Sequence, residues 1–351
     1  MDWGLKNRIS KIINPLDNHA LMLAVDHGYF LGPTEKLENP EKTIKPIMRY
    51  CDSLMLTRGV QRTSVDPAYP IPIVLRVSGG SSIIGDDLSN EQITTSIKEA
   101  IRLNASAVAM SIFVGSKFEH QSIVNLGRLV NEAEEYGIPV LAVTAVGKDM
   151  GKDARYLSLA CRIAAEQGAH IVKTYFCENF EKVVESCPVP IIVAGGKKLP
   201  EKEALELTYN AIKAGAVGVD MGRNIWQSDN PVPMIKAVRA IVHSEKTANE
   251  AYQLFTTLCN ETKNSSKKPF NKNQNNSKKP FNKNQNNSKK PFNKNQNDSK
   301  KPFNKNQNDS KKPFNKNQND SKKPVNKNQN DSKKPVNKNQ NDSKKQSEAT
   351  Q

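Results

Sequence analysis

The stretch HIVKTYFCENFEKVVESCPVPIIVAGGK (170–197) decides the fold. It holds two short runs of strand-forming residues, HIVKTYF (170–176) and VPIIVAGGK (189–197), with a segment of helical period between them. Both runs are almost continuously apolar, as expected when a parallel sheet is covered on both faces. A strand, a helix and a second strand form the repeating unit of α/β folds.

The same unit recurs outward in both directions. Towards the N-terminus lie ALMLAVDHG (20–28), SLMLTRG (53–59), PIVLRVSGG (72–80), ASAVAMSIFVG (105–115) and PVLAVTAVG (139–147), and towards the C-terminus AVGVDMG (216–222). NEQITTSIKEAIRLN (90–104), FEHQSIVNLGRLVNEAEEYG (118–137) and DARYLSLACRIAAEQG (153–168) read as intervening helices. Ser89 with Gln92 predicts a capping box before the first of these, and Gly137, Gly168 and Gly215 stand where helices should stop. Eight strands alternating with helices predict an α/β fold, a (β/α)8 TIM barrel. The first connection (28–43) and the third (78–91) are long, which suits lids or subunit contacts over a site. WGLKNRISKII (3–13) is expected to cover the bottom of the barrel, and 231–261 to supply the closing helices.

Charge divides the chain in two. Residues 262–351 carry 24 Lys and 6 acidic residues, whereas 1–261 carry 28 basic and 30 acidic residues, so the formal +16 belongs to the C-terminal part. That part repeats SKKPFNKNQNN every 11 residues, with Pro at 269, 280, 291, 302, 313, 324 and 335. One apolar residue and one Pro per repeat exclude a helical core, so a disordered Lys/Asn-rich tail is expected. The domain reading is therefore a catalytic barrel over 1–261 and a tail over 262–351. Such exact repetition resembles an expansion at the DNA level more than a selected binding surface; the alternative is weak, salt-dependent contact with polyanions.

Five cysteines, an odd number without a Cys-x-x-Cys pair, read as reduced thiols. The N-terminus has no continuous apolar run, and no stretch approaches the ~20 apolar residues of a membrane span. A soluble, cytoplasmic protein without membrane contact is expected.

In such barrels the chemistry comes from the C-terminal ends of the strands. The sixth strand offers Lys173. Alternation puts Ile171, Lys173 and Tyr175 on one face, and an ammonium inside a barrel is expensive unless used. Desolvation and a neighbouring cation would lower its pKa and free an amine to attack a ketone. The alternative is a lysine paired with a carboxylate for structural reasons. The first strand ends in Asp26, which reads either as a proton relay beside an amine or as a loop ligand. His27 alternates to the other face and reads as a packing residue. The seventh and eighth strands end in Gly195-Gly196-Lys197 and Gly222-Arg223, where barrels hold phosphate; plain tight turns are the alternative. The five His have no metal-ligand spacing, so no metal is expected, and no cysteine has a nucleophile's context.

LAVDHGYFLGP (23–33), AVTAVGKDM (142–150), IVKTYF (171–176), VAGGKKLPEKEAL (193–205) and GVDMGRNIWQS (218–228), in this order, resemble the DhnA-type class I aldolases. The resemblance covers 2–256 and none of the tail. It implies a Schiff base on Lys173, Asp26 beside it, and substrate phosphate held by Gly195, Gly196, Gly222 and Arg223. Fructose-bisphosphate aldolases of the family place an acid/base tyrosine at the end of the fifth strand, but PVLAVTAVGKDM (139–150) contains none. The DHGYF, VGKDM and MGRNIWQS loops are most similar to those of thiolase members. These transfer the acetyl group of a phosphorylated dione to coenzyme A, giving acetyl-CoA and dihydroxyacetone phosphate, in breakdown of phosphorylated autoinducer-2. The resemblance therefore implies coenzyme A as co-substrate, no bound cofactor, and a homo-oligomer such as a ring of ten. Lys148 is an accessory candidate, to neutralise enolate charge or help bind the second substrate. Two rivals stand beside this reading: a class I aldolase acting on another phosphorylated keto sugar, and a polyanion-binding protein acting through its tail.

Overall fold

The computed structural model describes residues 2–145, 151 and 153–267, with side chains as far as 263. The chain divides into units 1–274 and 275–351, and the second lies wholly outside the described residues. Among the described residues, eight strands form a closed barrel. They are β1 (Ala20–Ala24), β2 (Ser53–Thr57), β3 (Ile73–Arg76), β4 (Ala107–Ile112), β5 (Val140–Thr144), β6 (Ile171–Tyr175), β7 (Ile191–Ala194) and β8 (Gly218–Met221). Each pairs in parallel with its sequence neighbours, and β1 pairs with β8 to close the ring.

Strand alternation separates two cores. Met22, Met55, Val74, Ala107, Leu141, Ile171 and Ile192 form an inner cluster filling the lower barrel. The larger cluster, with Leu21, Leu54, Leu75, Val108, Val172 and Val219, takes the outward side chains and packs them beneath the helices. The helix Trp3–Ile12 begins at Asp2, whose side chain accepts from Leu5 N, and delivers Ile12 and Ile13 into the inner cluster. The N-terminal segment thus plugs the bottom of the barrel, as its sequence led us to expect.

The third connection differs from its prediction. Gln92–Ile93 is not helical but pairs antiparallel with Ser78–Gly79, folding the connection into a small ribbon. The helix starts later, at Ile97–Arg102, and its cap is Ser96, which accepts from Glu99 N. Ser96-x-x-Glu99 is the better capping sequence because it directly precedes the apolar periodicity. The ribbon has a functional consequence, since it carries Glu91 over the barrel mouth. The last described helix, Ala248–Lys267, runs across the 261/262 boundary drawn from composition.

Candidate active site

Above the inner cluster, polar and charged residues enter the inward positions. They are Asp26 after β1, Arg76 on β3, Ser111 on β4, Lys173 on β6 and Asp220 on β8, with the apolar Ala24 and Val143 beside them. They line a cavity of about 250 Å³ at the C-terminal ends of the strands. The lower barrel is filled, so this charged layer is both the floor of the cavity and the roof of the core.

Lys173 Nζ lies 2.6 Å from Asp220 Oδ2, and both side chains are buried. Burial alone would lower the lysine's pKa. The Asp220 charge, with Asp26 next in strength, outweighs it and holds Lys173 above the ordinary lysine value. Burial also pushes the Asp220 carboxyl up, against the pull of Lys173. This corrects the expectation of a depressed Lys173: in the free site it is an ammonium, paired with a carboxylate that burial makes more basic. Asp220 Oδ1 is buried without a hydrogen-bond partner among the described residues. A basic amine and a proton acceptor are thus in direct contact.

Opposite them, Arg76 is held on two of its three nitrogens. Nε donates to Ser78 O at 3.3 Å, and the two hydrogens of Nη2 are shared among the Glu91 oxygens at 3.2 and 3.0 Å, Tyr29 Oη and Ser111 Oγ. Tyr29 Oη and Ser78 Oγ in turn donate to Glu91 at 2.7 and 2.6 Å. The long first and third connections therefore converge on one guanidinium, through Tyr29 and Glu91. Nη1 faces Asp26 Oδ2 at 3.8 Å.

The third part of the wall is the β7–β8 end, where Gly195, Gly196, Gly222 and Arg223 line the cavity. Gly196 adopts φ +67°, where a side chain would strain the backbone, and a Cβ at Gly222 would stand 2.5 Å from Ala24 O and force a shift. Asn224 ties the two loops together, donating to Gly195 O at 2.6 Å and accepting from Leu199 N at 2.7 Å. Trp226 Nε1 donates to Ala24 O at 3.0 Å. Lys36, from the first connection, donates to the Gln227 and Ser228 carbonyls and pairs with Asp229. Arg223 Nε is buried and unpartnered among the described residues, a donor available to an anion. His27 packs edge-to-face on Trp226 yet also lines the cavity, and burial pushes its pKa down to about 4, so it is a neutral imidazole.

All five cysteines are free and buried, and none lines this cavity. Burial pushes every one of their thiols up, Cys161 to about 12. No cluster of three metal-binding side chains occurs among the described residues. Nor is any helix among them long and apolar enough to cross a membrane.

Comparison with known proteins places this geometry. The model of the DeoC/LacD family aldolases matches residues 20–228, from β1 to the loop after β8. The chain belongs to the DeoC/LacD aldolase family. Among relatives of this family, 3-hydroxy-5-phosphonooxypentane-2,4-dione thiolase of Enterobacter sp. (strain 638) is 56% identical over 256 residues, covering 73% of this chain and 86% of the relative. The thiolase of the same name from Escherichia coli (strain K12) is 55% identical, over 73% of this chain and 88% of the relative. Among solved structures, an archaeal fructose 1,6-bisphosphate aldolase is similar at 26% identity with a TM-score of 0.63, over 68% of this chain and 99% of that one. Another, at 26% identity and TM-score 0.62, is titled as having the catalytic Lys covalently bound to the carbinolamine intermediate of the substrate; it covers 68% of this chain and 99% of its own. The protein is thus an aldolase-family enzyme with relatives named as thiolases.

Of the residues singled out from the sequence, Lys173, Asp26, Gly195, Gly196, Gly222 and Arg223 meet in one cavity. Lys197 does not: its side chain is exposed, outside the cavity wall, and Arg223 is the cation at that end. Lys148 lies outside the described residues. Sequence reasoning missed Asp220, Arg76, Glu91 and Tyr29. Alternation along GVDMG and IVLR would have found the first two, because each is a charge at an inward position of a buried strand. Glu91 and Tyr29 come from the long connections, whose sequence carries no periodicity to reveal where they return.

Proposed function

We propose that this enzyme is a thiolase of class I aldolase type, acting on 3-hydroxy-5-phosphonooxypentane-2,4-dione and coenzyme A. The observation that carries the proposal is the buried Lys173–Asp220 contact in a cavity whose β7–β8 wall ends in the Gly195-Gly196 and Gly222-Arg223 loops. Gly195, Gly196, Gly222 and Arg223 hold the phosphate. The keto carbon nearest the phosphate then faces Lys173, which passes its proton to Asp220 and adds as the free amine. Asp26 relays protons as the carbinolamine loses water to the iminium.

The thiol of coenzyme A gives its proton to solvent, and its sulfur bonds to the acetyl carbonyl carbon as the carbonyl electron pair moves to oxygen. The bond from that carbon to the hydroxyl-bearing carbon breaks, and its electron pair is taken up by the iminium nitrogen as an enamine. Acetyl-CoA leaves; a proton returns to the enamine carbon, and water releases dihydroxyacetone phosphate from Lys173. The high pKa of all five cysteines supports direct transfer to coenzyme A, with no protein thiol as carrier. The absence of tyrosine from 139–150 supports acyl transfer over aldol cleavage.

In this reading the 1–261 barrel is the catalytic domain, coenzyme A is a co-substrate, and the pathway is breakdown of phosphorylated autoinducer-2. A cytoplasmic homo-oligomer belongs to the same reading; free cysteines, and exposed Trp3, Leu16 and Ile84, support it. Incubation with the phosphorylated dione, with and without coenzyme A, tests the proposal. Acetyl-CoA and dihydroxyacetone phosphate are expected only when coenzyme A is present. Equal release of dihydroxyacetone phosphate without it would overturn the thiolase assignment.

A further inference from the structure

Arg76 is anchored in a way that a purely structural arginine does not require. Nε and Nη2 are bound by Ser78 O, Glu91, Tyr29 Oη and Ser111 Oγ, while Nη1 has no hydrogen-bond partner among the described residues. It pairs with Asp26 Oδ2 at 3.8 Å, beyond hydrogen-bond reach. The side chain is only 3% exposed, so the guanidinium has been desolvated and aimed, with Nη1 ion-paired to Asp26 but not hydrogen-bonded. The Nη1 edge faces the same cavity as Lys173, from β3, three strands away from β6 around the ring. The phosphate loops lie on the opposite side, at β7 and β8.

This placement has a consequence that rests on the thiolase reading. A dione with its phosphate at β7–β8 and its nearer keto carbon at Lys173 extends its acetyl end away from the phosphate, towards β3. We infer that Arg76 Nη1 is the donor that binds the acetyl carbonyl oxygen and stabilises the oxyanion formed there when the thiolate adds. The sulfur–carbon bond forms as the carbonyl electron pair moves to oxygen. When that pair returns, the adjacent carbon–carbon bond breaks and its electrons pass to the Lys173 iminium. Arg76 donates a hydrogen bond throughout and transfers no proton. A fixed, desolvated donor needs no reorganisation at that moment, which is the condition for strong transition-state stabilisation. Glu91, Tyr29 and Ser111 act as positioning residues that hold the fork.

The two halves of the reaction separate this role from a structural one. Dihydroxyacetone phosphate alone forms an enamine on Lys173 and exchanges its hydroxymethyl proton with D2O, a process without an acetyl oxyanion. R76Q should cut kcat for acetyl-CoA formation by ~10²–10³-fold, far more than it slows proton exchange, which Arg76 touches only through its 3.8 Å pairing with Asp26. R76Q leaves Glu91 buried without its cation, so R76Q/E91Q, which removes both charges together, is measured beside it and should show the same split. Exchange falling in parallel with thiolysis in the folded variants would overturn the assignment, as would thiolysis unchanged in either. A wild-type protein that exchanges protons yet makes no acetyl-CoA would instead point to failure of the thiolase reading itself.

Discussion

Lys173 on β6 and Asp220 on β8 are 2.6 Å apart across the inside of the barrel, although β7 lies between their strands. Alternation makes this possible, because both residues sit one inward step above the apolar layer. The pair explains how a lysine tolerates full burial: the carboxylate offsets desolvation, and its own raised pKa makes it a ready proton acceptor. Replacing Asp220 with Asn should lower turnover by ~10²–10⁴-fold through loss of that acceptor. The same change removes the strongest charge raising the Lys173 pKa. The pH at which the amine can be trapped as an imine should therefore move downward in D220N, and an unchanged profile would contradict the coupling.

Arg223 is the one predicted cation that reaches the β7–β8 wall, and its Nε lacks a partner among the described residues. Replacing Arg223 with Gln should raise KM for the phosphorylated substrate by roughly ten-fold or more, the loss of a charge-assisted hydrogen bond. Inhibition by inorganic phosphate should weaken in step. Initial-rate kinetics check both, and an R223Q effect confined to kcat would remove the phosphate role.

At the opposite end of the barrel, His243 bridges Asp17 and Asp52 at 2.7 and 2.8 Å, with Arg239 also on Asp52 at 2.9 Å. Burial works against protonation of His243, but its two carboxylate partners prevail and raise its pKa above the ordinary 6.5. A group raised on folding gives stability that is fully present below its unfolded pKa and is lost as pH rises through the folded one. The stability gap between wild type and H243Q should therefore be wider at pH 6 than at pH 9, by about 1 kcal/mol or ~2–4 °C in Tm. Thermal melts at the two pH values decide it; a gap that widens towards pH 9 has the wrong sign.

Truncation after Lys267 removes the repeats and most of the positive charge, since 1–261 carries slightly more acid than base. The family match ends at 228, and the thiolase relatives align over 256 residues. The truncated protein should keep kcat/KM within about two-fold, as expected when no interaction with the transition state is lost, while binding to a cation exchanger disappears. Loss of catalysis on truncation would return the tail to the mechanism.

The barrel was legible because eight buried strands leave a signal that no loop disturbs: nearly continuous apolar runs, four of them broken by one inward charge. Lys173 stood out for that reason, and so should Asp220 and Arg76 have done, each interrupting a buried strand at an inward position. What could not be read was pairing. Nothing in HIVKTYF or AVGVDMG states that their charges meet, so the lysine's pKa was expected to fall when in fact it rises. The third connection was misread because Gln92 and Ile93 fit a helical period locally, whereas backbone pairing with Ser78 and Gly79 overrides it. That ribbon carries Glu91, so an error in local structure concealed a functional residue.

Borohydride trapping tests the central claim, that Lys173 attacks the substrate's carbonyl, most directly. Reduction in the presence of dihydroxyacetone phosphate should add one phosphorylated three-carbon unit to the peptide containing Lys173, and K173M should neither gain that mass nor turn over substrate. A covalent adduct on another lysine, or full activity in K173M, would contradict the account.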